Sequence, residues 1–249
     1  EILIGLVGSE MCIRDSLGDI REGYVDEEEL IAAAVETEKL SRVDLYGIGT
    51  NLTCFSFIQA DEEKMERLAE MRKKVENAAG HTLEIVSGGN SAALDLMMRG
   101  GICEGVDSFR LGESLLFGKE RSRYTFLPGT RNDGFILECE VVEAKVKPSL
   151  PWGTAGVDSY GRKPVFTNRG EKRKKVICAI GRQDFDAETA TPVDEGILIL
   201  GASSDHLMLD VTDSVKEYKV GDIVELRLGY FSVLRAFTSP YVEKIFLKK

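Results

Sequence analysis

The spacing of apolar residues in the first half of the chain most constrains its fold. Apolar side chains recur every three or four residues in two long stretches, and short apolar runs that end at or near glycine follow them. The predicted elements are helices at 27–40, 61–79 and 87–99, and strands at 43–48, 83–86 and 108–111. This alternation predicts a parallel sheet built from roughly three to four βα units. It amounts to about half of an eight-stranded (β/α)8 TIM-type barrel, which needs ~250 residues by itself.

The pattern changes after Asp133, where β-rich runs separated by turn signals take over. Strands are predicted at 135–146, 176–180, 196–200, 206–211, 223–228 and 241–247. We therefore expect an α/β plus β chain. A partial barrel at 17–128, with its N-terminal half missing, precedes a C-terminal β-barrel or sandwich domain at 129–249.

The first residues do not fit this pattern. Residues 10–16, Glu-Met-Cys-Ile-Arg-Asp-Ser, match the in-frame translation of a common transposon-end sequencing adapter, and they stand where a barrel strand should lead into Leu17. We expect residues 1–16 to be foreign to the protein. The alternative is an ordinary irregular segment, and the source nucleotide sequence decides between the two.

Composition argues against several functional classes. A net charge of -10 disfavours a general nucleic-acid binder, because phosphate binding requires clustered Lys and Arg. Five scattered cysteines without a CxxC pair, and only two histidines, predict neither a disulfide framework nor a metal site. No apolar run approaches the ~20 residues of a membrane helix, and the start lacks the flanks of a signal peptide. We expect a cytoplasmic protein without a membrane partner.

Two glycine-bearing turns at strand ends are candidates for an anion site. Residues 87–91, Ser-Gly-Gly-Asn-Ser, lead from a strand into a helix and offer backbone N–H groups and hydroxyls, which suit a phosphate dianion. The same residues can equally form only a tight turn with an N-cap. The next strand adds Arg110 and the Gly112-Glu113 turn at the barrel face where active sites lie. This second turn favours the phosphate site.

These segments carry a specific resemblance. Asn90-Ser-Ala-Ala93 with Arg110-Leu-Gly-Glu113 resembles the phosphate and ring segments of alanine racemases, which use pyridoxal 5'-phosphate (PLP). The segments GIGTNLTCF, SGGNSAAL, FRLGESLLFG, AIGRQD, GASSDHL and TSPYV resemble the alanine/ornithine racemase subfamily, from Leu17 to nearly the end of the chain. The resemblance implies PLP as cofactor, an amino-acid substrate and a homodimer.

The resemblance also assigns the phosphate and ring contacts. Ser91 and the backbone N–H groups of Gly112 and Glu113 would contact the phosphate, and Arg110 would face the pyridine nitrogen. Because a guanidinium keeps its proton, it would leave that nitrogen unprotonated, which favours racemisation over transamination. A structural salt bridge from Arg110 to Glu113 or Asp107 is the alternative.

The remaining site residues come from the same resemblance. Arg21 matches the arginine near the cofactor's phenolic oxygen and the substrate carboxylate, and Tyr241 matches a residue near the phosphate. Asp205 matches a second-domain residue that reaches into the partner subunit's site. The predicted cofactor-binding residues are Arg21, Asn51, Ser87, Asn90, Ser91, Arg110, Gly112, Glu113 and Tyr241.

Two positions depart from the alanine racemase pattern. Asn51 stands where those enzymes stack a histidine on the ring, and Arg182 stands where they place the tyrosine that acts as second base. Arginine is a poor general base because its pKa lies above ~12. The second base is therefore open among Asp205, His206 and Asp184. Arg182 can instead bind a carboxylate, and Asp205 the side-chain ammonium of ornithine or lysine.

The chemistry also needs a lysine that joins the cofactor as a Schiff base, and the family carries it on the first barrel strand. None of the lysines here ends a predicted barrel strand. We therefore expect an inactive fragment of a racemase for ornithine, alanine or a similar amino acid. The alternatives are a non-catalytic PLP carrier, which lacks a second domain, and a PLP decarboxylase of the same fold, which places a carboxylate against the pyridine nitrogen.

Overall fold

The structure, a computed structural model, describes residues 9–157 and 161–248. The chain separates into two units, the first ending at Arg131 and the second beginning at Asn132. Each unit has its own sheet. The domain limits 17–128 and 129–249 remain a proposal.

A four-stranded parallel sheet with helices forms the first unit, in the order β1-β2-β3-β4. Its strands are β1 (Ser9–Asp15), β2 (Val43–Thr50), β3 (Ile85–Asn90) and β4 (Ser108–Arg110). Its helices are α1 (Glu27–Glu38), α2 (Glu62–Ala79), α3 (Leu94–Met98) and α4 (Glu113–Phe117). Because the strands are parallel, their carboxyl ends lie along one edge. The four parallel strands with their helices confirm the predicted partial barrel.

Helix α2 shows how the sequence fixes these elements. The Asp61 carboxylate caps its start by accepting from the backbone N–H of Lys64 at 2.9 Å, and Gly80 ends it with a left-handed φ of 82°. Its buried face packs into the core of the unit through Met65, Leu68, Ala69, Met71 and Val75. Among the described residues, no helix is both long enough and apolar enough to cross a membrane.

The second unit is a six-stranded antiparallel sheet in the order β7-β10-β5-β6-β9-β8. Its strands are β5 (Ile136–Pro148), β6 (Lys172–Cys178), β7 (Ala190–Pro192), β8 (Leu198–Ala202), β9 (Leu207–Asp210) and β10 (Ile223–Leu228). Helix α5 (Tyr230–Thr238) follows. The edge strands β7 and β8 contact each other, so the sheet nearly closes into the predicted barrel.

Two sequence-based element predictions are wrong, and one helix was missed. No strand forms at 241–247, because the chain leaves α5 through a Ser-Pro turn and the apolar run Ile-Phe-Leu lacks the alternation that gives a strand one buried face. The third helix is split into a single 3-10 turn at 91–93 and the short α3. Helix α5 was not predicted, since its β-branched and aromatic residues do not favour a helix.

Candidate active site

Arg110, at the carboxyl end of β4, connects three neighbouring strands. Its Nη2 donates to the backbone carbonyl of Thr50 at 2.6 Å, and its Nη1 donates to Ser87 Oγ. Burial lowers the pKa of this guanidinium. The alternative salt bridges do not form, since Glu113 lies near Arg121 and Asp107 near Arg72. Arg110 is therefore held at the edge of the sheet by neutral acceptors.

Backbone N–H groups and hydroxyls converge beside it. The N–H groups of Gly112 and Ser114 each point at Ser91 Oγ at 3.3 Å, and the Ser114 hydroxyl lies 3.1 Å from the same atom. A Cβ added to Gly112 would meet no atom within 4 Å, so the Cβ side of this glycine is open. Such a cluster of donors can bind a phosphate dianion. Ser114, which follows directly in the RLGES segment, was not predicted.

Glu113 contributes a carboxylate next to this cluster. Its side chain lies 3.6 Å from Arg121 Nε, and burial raises its pKa. In the structure, the backbone N–H groups that donate to Ser91 Oγ are those of Gly112 and Ser114. The predicted role of the Glu113 N–H group remains a prediction.

Asn90 and Asn51 join the ends of β3 and β2. Asn90 Nδ2 donates to Asn51 Oδ1 at 3.0 Å and to the Leu52 carbonyl at 2.9 Å, while Asn90 Oδ1 accepts from Ala92 N at 2.8 Å. Asn51 Nδ2 is buried and has no hydrogen-bond partner within the described part of the chain. A buried donor without a partner is costly, and this atom is free to donate to a bound group.

Arg21 lies in the loop that follows β1, at the same edge of the sheet. Its guanidinium pairs with the Glu22 carboxylate, and this hydrogen bond raises the pKa of Arg21. Its side chain is 45% exposed, so the positive charge is accessible from solvent.

In the second unit, two predicted motifs form one structural element. The backbone N–H of Arg182 donates to the Ser203 carbonyl at 2.8 Å, which joins the Gly-Arg-Gln-Asp turn to the Ser-Ser-Asp-His turn. A Cβ on Gly181 would lie 2.3 Å from the backbone nitrogen of Asp205, so only glycine fits there. Arg182 and Asp205 are thereby brought together by the backbone. Arg182 Nε also donates to the Ala202 carbonyl at 2.8 Å.

All contacts of the Asp205 carboxylate in the described chain fall on Oδ1. Ser203 Oγ, Ser204 Oγ and His206 Nδ1 lie 3.2, 3.1 and 3.1 Å from it. The hydrogen bond from His206, followed by that from Ser204, lowers the pKa of Asp205. The exposed carboxylate therefore stays ionised at neutral pH, and its described hydrogen bonds leave Oδ2 available.

Tyr241 is linked to the same region through Asp184. The buried Asp184 carboxylate accepts from Ser239 Oγ at 2.7 Å, and Ser239 Oγ accepts from the Tyr241 backbone N–H at 3.1 Å. The Tyr241 side chain itself is exposed. The second unit thus places Arg182, Asp205 and Tyr241 on three adjoining turns.

Comparison with known sequences shows which proteins the chain resembles. No family model matches it. It is 45% identical to the ornithine racemase of Acetoanaerobium sticklandii over 228 residues, covering 92% of this chain and 64% of that protein. The chain is thus similar in sequence to the alanine/ornithine racemases. It is also 42% identical to the lysine racemase of Thermotoga maritima over 230 residues, covering 92% of this chain and 63% of that protein.

The chain thus spans less than two thirds of the length of either racemase.

Solved structures of alanine racemases share its fold. The enzyme from Streptomyces lavendulae matches with a TM-score of 0.59 at 15% identity, over 98% of this chain and 67% of that one. The enzyme from Bartonella henselae, solved with covalently bound PLP, matches with a TM-score of 0.53 at 20% identity, over 87% of this chain and 56% of that one. The predicted fold is confirmed, and the two racemase relatives support the predicted family.

Proposed function

We propose that the full-length protein is a PLP-dependent racemase of an amino acid with a side-chain ammonium, such as ornithine or lysine. The observation that carries this proposal is the donor cluster at the edge of the parallel sheet, with Arg110 beside Ser91, Gly112 and Ser114. Ornithine racemase and lysine racemase, the two relatives described above, are named for substrates of this class.

The residues at this edge fit PLP. The N–H groups of Gly112 and Ser114 with the Ser91 hydroxyl would hold the phosphate, and Arg110 would face the pyridine nitrogen. The unpaired Asn51 Nδ2 offers a further donor. When bound, PLP supplies an electron sink for the charge left by removal of the α-proton. Arg110 keeps its own proton and so limits that sink, which supports racemisation over transamination.

Each unit, taken by itself, carries charged side chains that suit groups of an amino-acid substrate. Arg21 and Arg182 carry positive charges that suit an α-carboxylate, and Asp205 Oδ2 suits a side-chain ammonium. Asp184 is buried and bonded to Ser239, which supports a positioning role for it. With Asp205 assigned to the ammonium, His206 remains as the proposed carrier of the second proton.

PLP chemistry requires a lysine that joins the cofactor. Strands β1 to β4 contain no lysine, and the residues that directly follow them, at 16, 51, 91 and 111, are not lysines either. We therefore propose that the given chain does not racemise amino acids by itself. A homodimeric assembly and a cytoplasmic location are further proposals, as is the foreign origin of residues 1–16.

The test uses the protein expressed from its complete coding sequence. It is loaded with PLP and incubated with L-ornithine, L-lysine or L-alanine in deuterated buffer. A racemase gives α-proton exchange and the D-isomer, with faster turnover of the two diamino acids. Visible cofactor absorbance without exchange would support the PLP carrier, and release of carbon dioxide would support the decarboxylase. The given chain, run in parallel, should show no exchange.

A further inference from the structure

Two loops stand over the carboxyl ends of β1 and β2. Residues 17–24 carry Arg21, and residues 51–58 follow β2 directly. Each loop starts from a buried leucine of the hydrophobic core, Leu17 and Leu52. The bases of both loops are therefore fixed, whereas their outer parts need another source of order.

Asp19 supplies a direct link between them. Asp19 is buried, with 1% of its surface exposed. Its Oδ2 accepts a hydrogen bond from the Phe55 backbone N–H at 3.1 Å, and its Oδ1 accepts one from the Ser56 N–H at 2.9 Å. The Ser56 hydroxyl donates in return to the Asp19 carbonyl at 2.8 Å. A buried carboxylate is costly unless it is hydrogen-bonded, and here each oxygen accepts a backbone N–H.

The backbone around this link is strained. Of the four described non-glycine residues with positive φ, three lie in these loops: Ile20 at 45°, Thr53 at 69° and Phe57 at 59°. Such conformations persist only where the surroundings enforce them, and they cluster at functional sites. Ile20 and Phe57 are 64% and 70% exposed, so packing does not hold them. Hydrogen bonds hold them instead: the Thr53 hydroxyl donates to the Ile58 carbonyl at 2.8 Å, the backbone of Tyr24 bonds to residues 14 and 16, and Asp19 joins the two loops to each other.

We propose that Asp19 is a positioning residue that holds the Arg21 loop in the conformation needed to bind the α-carboxylate of the substrate. Asp19 does not touch the substrate, since both of its carboxylate oxygens point at backbone N–H groups. This role rests on the proposed racemase function and adds to it the residue that sets carboxylate affinity. Arg21 adjoins the strained Ile20, so a loop released from Asp19 would carry the guanidinium with it.

The test is Asp19→Asn in the PLP-loaded, full-length protein. Asparagine keeps the size of the side chain, but its Nδ2 would face an N–H group and one hydrogen bond is lost. The KM for ornithine should rise about tenfold, with kcat nearly unchanged. Inhibition by putrescine, which lacks the α-carboxylate, should stay the same. Hydrogen exchange at the amides of Phe55 and Ser56 should become faster.

Two further variants complete the design. Ser56→Ala removes only the hydroxyl donated to Asp19 and should raise KM about threefold, which keeps the test open if Asp19→Asn does not fold. Asp107→Asn also alters a carboxylate that accepts a backbone N–H, but it lies at the amino end of the sheet and should leave KM unchanged. An unchanged KM with faster amide exchange in Asp19→Asn would overturn the positioning role. A wild-type protein without α-proton exchange would instead refute the racemase function itself.

Discussion

Arg110 donates from Nη2 to the carbonyl oxygen of Thr50 at 2.6 Å, so a side chain at the end of β4 is fixed by the end of β2. The other arm of the guanidinium donates to Ser87 on β3, between them. A planar fork with donors on both arms is what this bridge requires, and lysine cannot reproduce it. Arg110 is therefore oriented before any ligand arrives, which is the preorganisation that a ring contact needs.

Replacing this arginine should change the outcome of the reaction as well as its rate. In the full-length protein, Arg110→Glu would offer a carboxylate to the pyridine nitrogen and favour its protonation, so transamination should appear as a side reaction. Racemisation should fall by ~100-fold. The ratio of keto acid to D-amino acid measures the partition. The control is Arg99→Lys, at an exposed arginine that follows α3. An unchanged ratio of keto acid to D-amino acid in Arg110→Glu would show that Arg110 does not contact the pyridine nitrogen.

The sequence predicted the elements whose patterns are local. The helix predicted at 61–79 is α2 (Glu62–Ala79), because a continuous apolar stripe, an N-cap and a glycine end lie within the segment itself. Helix α5 was missed because its order depends on distant groups: Ser232 donates to the Asp186 carbonyl and contacts Thr189, 46 and 43 residues away. Tertiary contacts there override a poor helix propensity.

The site shows the same limit. Motifs at strand ends located Ser91, Arg110 and Gly112, since parallel strands bring their carboxyl ends to one edge. Asp19 could not be found in this way, because its partners lie 36 and 37 residues away and are backbone amides that no sequence pattern marks. The sequence named Asp184 as a candidate base, but its hydrogen bond with Ser239, 55 residues away, has no local sequence signal either.

Asp205 should control the choice of side chain. The Asp205→Asn variant removes the charge and keeps the shape, so the KM for ornithine should rise about tenfold while alanine turnover stays within a factor of ~2. Because the hydrogen bond from His206 lowers the pKa of Asp205, the wild-type preference should persist as the pH falls toward 5 and be lost below the usual aspartate range near ~4. Steady-state kinetics with both substrates measure this. Equal effects on the two would exclude Asp205 as the selector.

The cysteines should differ sharply in reactivity. Burial raises the pKa of Cys178 to about 12 and also raises that of Cys139, so both thiols stay protonated at neutral pH. Only the thiolate is nucleophilic. Cys54 is exposed and lies 3.2 Å from Asn90 Nδ2. Iodoacetamide should therefore alkylate Cys54 at least about tenfold faster than the buried pair, as mass spectrometry would show.

Cofactor binding gives this labelling experiment a second use. PLP at the edge of the sheet would cover the neighbourhood of Asn90, so loading the full-length protein should slow the alkylation of Cys54. Denaturant should make all five cysteines reactive, which serves as the control for the reagent. If PLP binds and Cys54 is still alkylated at the same rate, the cofactor lies elsewhere.

Gly49 should tolerate no side chain, because β2 and β3 approach closely where they hold Arg110. Gly49 pairs with Ser87 across the two strands, and a Cβ at Gly49 would lie 2.9 Å from Ser87 Cβ and 3.0 Å from the Ser87 carbonyl oxygen. The Gly49→Ala variant must push the strands apart, which should lower the free energy of unfolding by about 2 kcal/mol. It should also weaken PLP binding, since Ser87 accepts a hydrogen bond from Arg110.

Urea unfolding of the Gly49→Ala variant with and without PLP measures both effects. Gly156→Ala, where a Cβ meets nothing within 4 Å, should change neither, and a Gly49→Ala protein as stable as wild type would contradict this close contact.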